Sequence, residues 1–309
     1  MSETAIQAQQ LTKYFPGKQA IDRLDLTVPT DSVFGLLGVN GAGKTTLIRM
    51  IMGHLHPTAG ELTVLGTDPR AHPEAQRRRL AYVSENMELP SHMKPEQAVV
   101  FNASAYAQWD TQLAKTLLRD FDLRGAGPFK SLSKGQKRKL CILLAICQNA
   151  DLLVMDEPAA GLDVVARREF LDQVLDIACQ PGRTVLLSSH LLSDLERVVD
   201  RLAIIHQGRA LLTGSLEDLK AGVRKIHLHT ALPEDALRET FDLVRFEQPS
   251  PAETVAVVTD FTAEKMSQLA AHHAQAQEAH VVALNLEDIF VELVGRGSTP
   301  ENLIQESQS

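Results

Sequence analysis

A glycine-rich segment carries the residue types of phosphate binding. GVNGAGKTT, residues 38–46, matches the pattern G-x-x-x-x-G-K-[ST] and lies between an apolar run and a helical pattern. Its glycines let several backbone N–H groups converge on one anion, and the following helix start adds positive partial charge. We expect Lys44 to supply a full charge to the phosphates and Thr45 to offer its hydroxyl to Mg²⁺. The predicted nucleotide contacts in this segment are Gly38, Val39, Asn40, Gly41, Ala42, Gly43, Lys44, Thr45 and Thr46.

Two adjacent carboxylates follow a second apolar run. In LLVMDEP, four apolar residues place Asp156 at the carboxyl end of a buried strand, where ligands bind in open α/β sheets. Asp156 can hold Mg²⁺ through a water, and Glu157 can orient and polarise an attacking water. An acidic turn after a core strand is the plain alternative, and the glycine-rich segment upstream disfavours it.

Strand and helix patterns alternate around these residues. The apolar runs SVFGLLG, LAYVSEN, DLLVMDEP and RTVLLSSH indicate buried strands of a parallel sheet. TTLIRMIMGHL and VVARREFLDQVLDIACQ indicate helices, and the runs AIQAQQLTKYF and AIDRLDLTV indicate two strands joined by the turn PGKQ. The pattern predicts one α/β domain over residues 1–222 with a helical subdomain at about 86–148.

The pattern changes after residue 222. KIHLHT and TVAVVTD indicate strands and AEKMSQLAAHHAQAQ a helix, which predicts a small α+β domain over 224–296, and the polar residues 297–309 are predicted to be disordered. Five histidines in this part raise the possibility of a metal-binding sensor. No cysteine or carboxylate spacing supports a defined site, so solvated surface histidines are the favoured interpretation. The histidines are His227, His229, His272, His273 and His280.

Composition limits the class of protein. The chain has 309 residues and a formal net charge of -8, which argues against a broad nucleic-acid surface. No run approaches the ~20 apolar residues of a membrane helix, and the N-terminus lacks the regions of a secretory signal. Three cysteines, Cys141, Cys147 and Cys179, are expected to be reduced and buried. Action on a membrane would therefore need another chain to span it.

The segment SLSKGQ, residues 131–136, resembles the L-S-G-G-Q signature of ATP-binding cassette (ABC) transporters. The other motifs occur in that family's order across residues 11–208. The resemblance implies a P-loop NTPase (RecA-like) α/β core with an antiparallel β subdomain and an inserted helical subdomain. In this family the signature of one subunit faces the γ-phosphate bound to the P-loop of another. ATP and Mg²⁺ as cofactors and a second ATPase subunit are therefore implied. A homodimer is expected, and a different second chain is the alternative.

Further site residues follow from the resemblance. Phe15, with Tyr14 as the fallback, lies where the family stacks an aromatic ring on adenine, although packing of a strand-end aromatic on the core is a rival interpretation. Glu85 lies at the Q-loop position, and His190 matches the switch histidine that reaches the γ-phosphate. The implied catalytic residues are Lys44, Glu157 and His190, and the implied metal ligands are Thr45, Glu85 and Asp156. The residues implied to meet the partner's nucleotide are Ser133, Lys134, Gly135, Gln136 and the D-loop Asp163.

The departures from the family pattern leave the chemistry intact. Glu85 replaces a glutamine, Lys134 replaces a glycine, and DEPAAGLD lacks the common Thr-Ser pair. None of these changes removes a group that hydrolysis needs, so a working ATPase is expected.

Three longer segments resemble those of bacterial ABC ATPases that energise export through a separate permease. The segments are SLSKGQKRKL, SSHLLSDLERVVDRLAIIHQGRALLTGSLEDL and NLEDIFVELVG. This resemblance implies a permease partner and a place on the cytoplasmic face of the bacterial inner membrane. The coupling surface would lie near Glu85 and residues 86–108. The alternative, a soluble ABC ATPase acting on nucleic acid or ribosomes, is disfavoured by the single cassette and the acidic balance. No nucleic-acid partner is expected, and the permease would select the substrate.

Overall fold

The computed structural model forms two compact units that divide between Ala210 and Leu211, and each is described by itself. The residues that the structure describes are 4–70, 78–85, 87–160, 162, 167–168, 171, 180, 182–273, 276 and 278–294. Most of the helix predicted over residues 164–180 therefore lies outside the described residues, and so does Cys179.

The first unit alternates strands and helices. In chain order its elements are β1 (Thr4–Phe15), β2 (Lys18–Pro29), β3 (Val33–Leu37), α1 (Lys44–Ile51), β4 (Ala59–Val64), β5 (Leu80–Val83), α2 (Pro95–Ala105), α3 (Thr111–Asp120), a 3₁₀ turn (Phe129–Ser131), α4 (Lys134–Ile146), β6 (Leu152–Asp156), β7 (Thr184–Ser189), α5 (Leu192–Glu196) and β8 (Arg201–His206). The next strand, β9 (Arg209–Ser215), runs through the division. The domain limit predicted at residue 222 therefore stays a prediction.

A six-stranded sheet has the order β5-β6-β7-β3-β8-β9. The neighbouring pairs from β5 to β8 are parallel, and every residue of β3 and β6 is buried, as a sheet covered on both faces requires. Leu37 lies opposite Ser189, and Asp156 lies opposite Ser188. The loops that follow β3, β6 and β7 therefore leave one edge of the sheet together, and the predicted α/β core is confirmed.

A second sheet has the order β2-β1-β4, and β1 pairs antiparallel with both neighbours. Apolar side chains of this sheet, of α1 and of the six-stranded sheet form one core. The antiparallel subdomain implied by the resemblance is thus present, although β4 was absent from the sequence prediction.

Three helices pack against one another inside the segment expected to be a helical subdomain: α2, α3 and α4. The Asp110 side chain caps α3 by accepting from the Leu113 N–H at 2.8 Å. Helix α4 also contacts β5 and so joins the helices to the large sheet.

The second unit is a four-stranded antiparallel sheet with helices. Its elements are α6 (Leu216–Gly222), β10 (Arg224–Leu228), α7 (Glu234–Arg238), β11 (Leu243–Ser250), β12 (Glu253–Val258), α8 (Ala263–His272), β13 (His280–Ala283) and α9 (Leu286–Val294). The strand order is β11-β12-β10-β13. His227 lies opposite His280, and no group of three or more His, Cys, Asp or Glu side chains that could hold a metal ion occurs among the described residues. The residues 297–309 that were predicted to be disordered lie outside the described part.

None of the helices in the described ranges is long and apolar enough to cross a membrane.

Candidate active site

An open pocket of about 200 Å³ lies over the glycine-rich segment. It is bounded by that segment, by the start of β2, and by residues that follow β5, β6 and β7. The residues that line it are Lys18, Ala20, Val39, Asn40, Gly41, Ala42, Gly43, Lys44, Thr45, Thr46, Glu85, Glu157, Ala160 and His190. Gly38 is buried beneath this surface. The structure thus brings together most of the residues predicted at the nucleotide, the metal and the catalytic centre.

The glycine-rich loop is held by close backbone contacts. Gly43 precedes α1 with φ 114°, and a Cβ there would lie 2.7 Å from the Ala20 carbonyl oxygen. The Gly208 N–H donates to the Ala42 carbonyl at 2.9 Å from the turn between β8 and β9. No side chain of the described residues caps α1, so its first N–H groups remain available to an anion.

Lys44 is the buried cation of the pocket. Its side chain is 6% exposed, and Nζ donates to the Gly38 carbonyl at 2.6 Å. The same Nζ lies 3.4 Å from Glu157 Oε1. Because Glu157 Oε1 is buried and accepts no hydrogen bond within the described part of the chain, this ammonium is the group that balances its charge.

The end of β6 positions the two carboxylates differently. Ser188 on β7 donates its hydroxyl proton to Asp156 Oδ1 at 2.6 Å and accepts from the Glu157 N–H at 3.0 Å. Asp156 is 1% exposed. The Glu157 backbone has φ 48°, in the left-handed region that a non-glycine residue occupies only where its surroundings over-determine it. This turn directs the Glu157 carboxylate into the pocket.

His190 completes a row of three side chains. Its Nδ1 lies 2.8 Å from Glu157 Oε2. A carboxylate only accepts hydrogen bonds, so the shared proton is on Nδ1, which leaves the other ring nitrogen for a ligand. Lys44, Glu157 and His190 therefore form a continuous polar row along one wall of the pocket.

The predicted metal ligands offer hard oxygen donors. Thr45 and Glu85 line the pocket, and Asp156 is buried at the end of β6 with Oδ1 bonded to Ser188. Hydroxyl and carboxylate oxygens are the donors that Mg²⁺ takes, so these residues fit that ion.

Arg138, which the sequence did not single out, joins two of the loops around the pocket. It lies on α4 and is 8% exposed. Its guanidinium donates to the carbonyls of Ser84 at 2.7 Å, Glu85 at 3.0 Å and Pro158 at 2.5 Å, and also to that of Glu157. Burial lowers the pKa of Arg138, against the opposing effect of the nearby Cys141 and the carboxylates.

The predicted adenine-stacking residues lie at the hairpin of β1 and β2. Tyr14 and Phe15 are exposed, and Phe15 is paired with Lys18. Lys18 lines the pocket, whereas Phe15 does not. Its ring instead has the Lys13 ammonium 5.3 Å from the centroid. The stacking role of Phe15 stays a prediction.

The signature segment runs from the end of the 3₁₀ turn into the start of α4, and it lies outside this pocket's lining. Ser133 caps the helix by accepting from the Gln136 N–H at 3.2 Å, while its own N–H donates to the Gln136 side chain at 3.1 Å. Ser133 and Lys134 are exposed. Asp163, predicted at the dimer seam, lies outside the described residues.

Comparisons with known proteins match the chain along most of its length. The family described as "ABC transporter" matches residues 21–160. The chain is 30% identical over 306 residues to the daunorubicin/doxorubicin resistance ATP-binding protein DrrA of Streptomyces peucetius, covering 94% of this chain and 92% of that one. It is 32% identical over 308 residues to the Nod factor export ATP-binding protein I of Burkholderia thailandensis, covering 96% and 99%. A solved structure of an ATP-binding subunit of an ABC transporter aligns with a TM-score of 0.63 at 29% identity, covering 71% of this chain and 92% of that one.

Proposed function

This chain belongs to the ABC transporter family as an ATP-binding subunit of the exporter type, and on that premise we propose that two copies close on two ATP molecules to drive a separate permease. The predicted P-loop fold, ATP hydrolysis and coupling to export are confirmed by the family relationship. The alternative of an ATPase acting on nucleic acid or ribosomes is not favoured. We further propose the roles of the individual site residues and the two partners, which are a second copy of this chain and a permease.

ATP binding is assigned to the glycine-rich loop and Lys44. The backbone of residues 38–46 surrounds the phosphates, and the Lys44 ammonium turns from Glu157 to the β- and γ-phosphates. Thr45, Asp156 and Glu85 would hold Mg²⁺, which neutralises phosphate charge when bound.

Hydrolysis is assigned to Glu157 and His190. Glu157 orients the attacking water and accepts its proton, because its carboxylate projects into the pocket from a constrained turn. His190 holds that carboxylate through Nδ1 and offers its second nitrogen to the γ-phosphate.

The second copy supplies the signature. The single observation that carries this step is that the signature residues and the nucleotide pocket of one chain are separate. The Ser133 hydroxyl and the exposed start of α4 form an anion-binding arrangement, yet Ser133, Lys134, Gly135 and Gln136 do not line the chain's own pocket. Their phosphate partner is therefore assigned to the nucleotide of another copy, with Asp163 at the seam.

The permease is assigned to the surface around α2. Val100 and Phe101 are 69% and 64% exposed on this helix, within the predicted coupling segment 86–108. Adjacent exposed apolar side chains on a helix are typical of a protein interface. Docking there would hold the chain on the cytoplasmic face of the bacterial inner membrane. The exported compound would be chosen by the permease.

The test is the molar mass of Glu157→Gln, measured by light scattering with and without Mg·ATP. Glu157→Gln should retain ATP and form a dimer only when ATP is present. Adding Ser133→Arg should abolish that dimer but leave ATP binding by the monomer intact. Ser267→Arg is the matched control, because Ser267 is exposed on α8 and its hydroxyl donates to the Ala263 carbonyl of the same helix. A dimer that persists in Ser133→Arg would contradict the assignment of the signature.

A further inference from the structure

Arg138 has an unusual environment for a buried cation. Its guanidinium is surrounded by main-chain carbonyls, two from the loop after β5 and two from the loop after β6. Within the ranges that the structure describes, no carboxylate lies in ion-pair contact with it. A packing role alone would not require a planar group with five N–H donors, whose geometry is suited to binding several acceptors at once.

The two loops that Arg138 joins both carry site residues. The first loop bears Glu85 and the second bears Glu157. Around Glu157 the peptide groups are held on both sides, since its N–H donates to Ser188 and its carbonyl accepts from Arg138. These bonds hold the left-handed backbone that aims the carboxylate at Lys44 and His190.

The same arginine lies one turn into the helix that Ser133 caps. A helix of this length behaves as a rigid rod, so its first turn and its Arg138 move together. The guanidinium therefore connects the start of the signature helix with the loop that carries Glu157.

We propose that Arg138 is a positioning residue for ATP hydrolysis, which fixes the Glu157 and Glu85 loops and couples them to the signature helix. The inference rests on the proposed function, because it assumes that Glu157 orients the water. Arg138 is not among the residues that line the pocket; it acts through the main chain of Glu85 and Glu157, which line it.

The test compares Arg138→Met with Lys139→Met. Both variants remove one cation from α4. The Lys139 ammonium, however, lies over the Phe121 ring, 5.5 Å from its centroid, and makes no hydrogen bond to the described residues of either loop. Arg138→Met should lower kcat at least tenfold while the Kd of ATP changes less than threefold, and Lys139→Met should leave both near the unsubstituted values. Equal kcat in the two variants would overturn the proposal.

A double-variant cycle separates positioning from general damage. In Glu157→Gln the water-orienting group is already lost, so Arg138→Met should reduce single-turnover hydrolysis less than twofold further. A further tenfold loss would show that Arg138 acts independently of Glu157 and would refute the inference. If Arg138→Met does not fold, Arg138→Lys carries both measurements, since lysine keeps the charge but cannot span four carbonyls. Wild-type kcat in Arg138→Lys would then overturn the proposal. Failure of the proposed role of Glu157 would instead appear in Glu157→Gln alone, as ATP hydrolysis at the unsubstituted rate.

Discussion

The turn between β8 and β9 supports the glycine-rich loop, and its contacts predict the effect of one added methyl group. Gly208 has φ 81°, and its N–H donates to the Ala42 carbonyl. A Cβ at Gly208 would lie 2.7 Å from the Ala20 carbonyl oxygen and 2.9 Å from Ile21 Cα. Both neighbours are backbone atoms, so they cannot move aside as a flexible side chain does.

The magnitude follows from two effects. An L-residue in the left-handed region costs about 1–2 kcal/mol, and overpacking against backbone costs about 1–3 kcal/mol more. Gly66→Ala is the matched control, because Gly66 has φ 77° and a Cβ there would meet no described atom within 4 Å. Gly208→Ala should therefore lower the free energy of unfolding by about 1–3 kcal/mol more than Gly66→Ala does.

The assay is thermal unfolding of both variants together with ATP titration. Each 1 kcal/mol of lost unfolding free energy lowers the melting temperature by about 2–4 °C. Gly208→Ala should therefore melt several degrees below Gly66→Ala. Because the Ala42 carbonyl loses its donor when the turn moves, ATP should also bind about fivefold more weakly, the effect of about 1 kcal/mol. Equal melting temperatures and equal ATP affinities in the two variants would refute the reasoning.

Other predictions concern the pocket, the docking surface and the thiols. Lys44→Ala should abolish measurable ATP binding in a fluorescent-nucleotide titration, because it removes the buried cation. Glu157→Gln should bind ATP about fivefold more tightly, as measured by calorimetry, because Glu157 then no longer attracts Lys44. The Coulomb attraction between Lys44 Nζ and Glu157 Oε1 over 3.4 Å is about 5 kcal/mol at an effective dielectric constant of about 20. About 1 kcal/mol of this attraction should remain once the solvation of both groups is included. Weaker ATP binding by Glu157→Gln would contradict the idea that Glu157 and ATP compete for Lys44. Phe101→Ser should leave ATP hydrolysis unchanged and reduce co-purification with the permease, and retained co-purification would place the docking surface elsewhere. Burial raises the pKa of Cys141 to about 11 and that of Cys147 to about 12. Both thiols are neutral at pH 8, so alkylation followed by mass spectrometry should be slow until urea is added; rapid labelling of either native thiol would contradict its burial.

The parallel sheet could be predicted because its strands are mostly apolar. Strands such as β3 and β6 are buried on both faces, so their sequences are continuous hydrophobic runs. Once the strands are parallel, their carboxyl ends meet at one edge, and the loops with Lys44, Glu157 and His190 converge there. Predicting that these loops meet required only the direction of the strands, which the local patterns and the order of the motifs indicate.

The strands β4 and β11 escaped prediction because neighbouring strands, rather than local pattern, determine them. Both β4 and β11 are edge strands with several exposed positions. Such strands lack a clear alternation of apolar and polar residues, and their pairing partners decide their conformation. The first is held by β1 and the second by β12, contacts that a local window does not contain.

The support around Glu157 was also missed, because it is made of contacts between distant residues. Ser188 and Arg138 bond the Glu157 backbone from β7 and α4, and neither has a motif of its own. A weak signal existed for Arg138. It precedes Cys141 and Ile142 by three and four residues, so it shares a helix face with buried side chains.

The contacts that several side chains make with Glu157 allow hydrolysis to be controlled separately from ATP binding. One carboxylate oxygen faces Lys44 of the glycine-rich loop, and the other faces His190 after β7. The peptide groups around the same residue are bonded by Ser188 and Arg138. The carboxylate is thus placed by four side chains from three segments, and only one of these segments, α4, begins at the signature. A ligand that moves the start of α4 can therefore change the position of the water-orienting group while the glycine-rich loop and Lys44 keep their hold on the chain's own ATP. Binding and hydrolysis are separable for this reason, and substitutions at the support should change kcat more than nucleotide affinity.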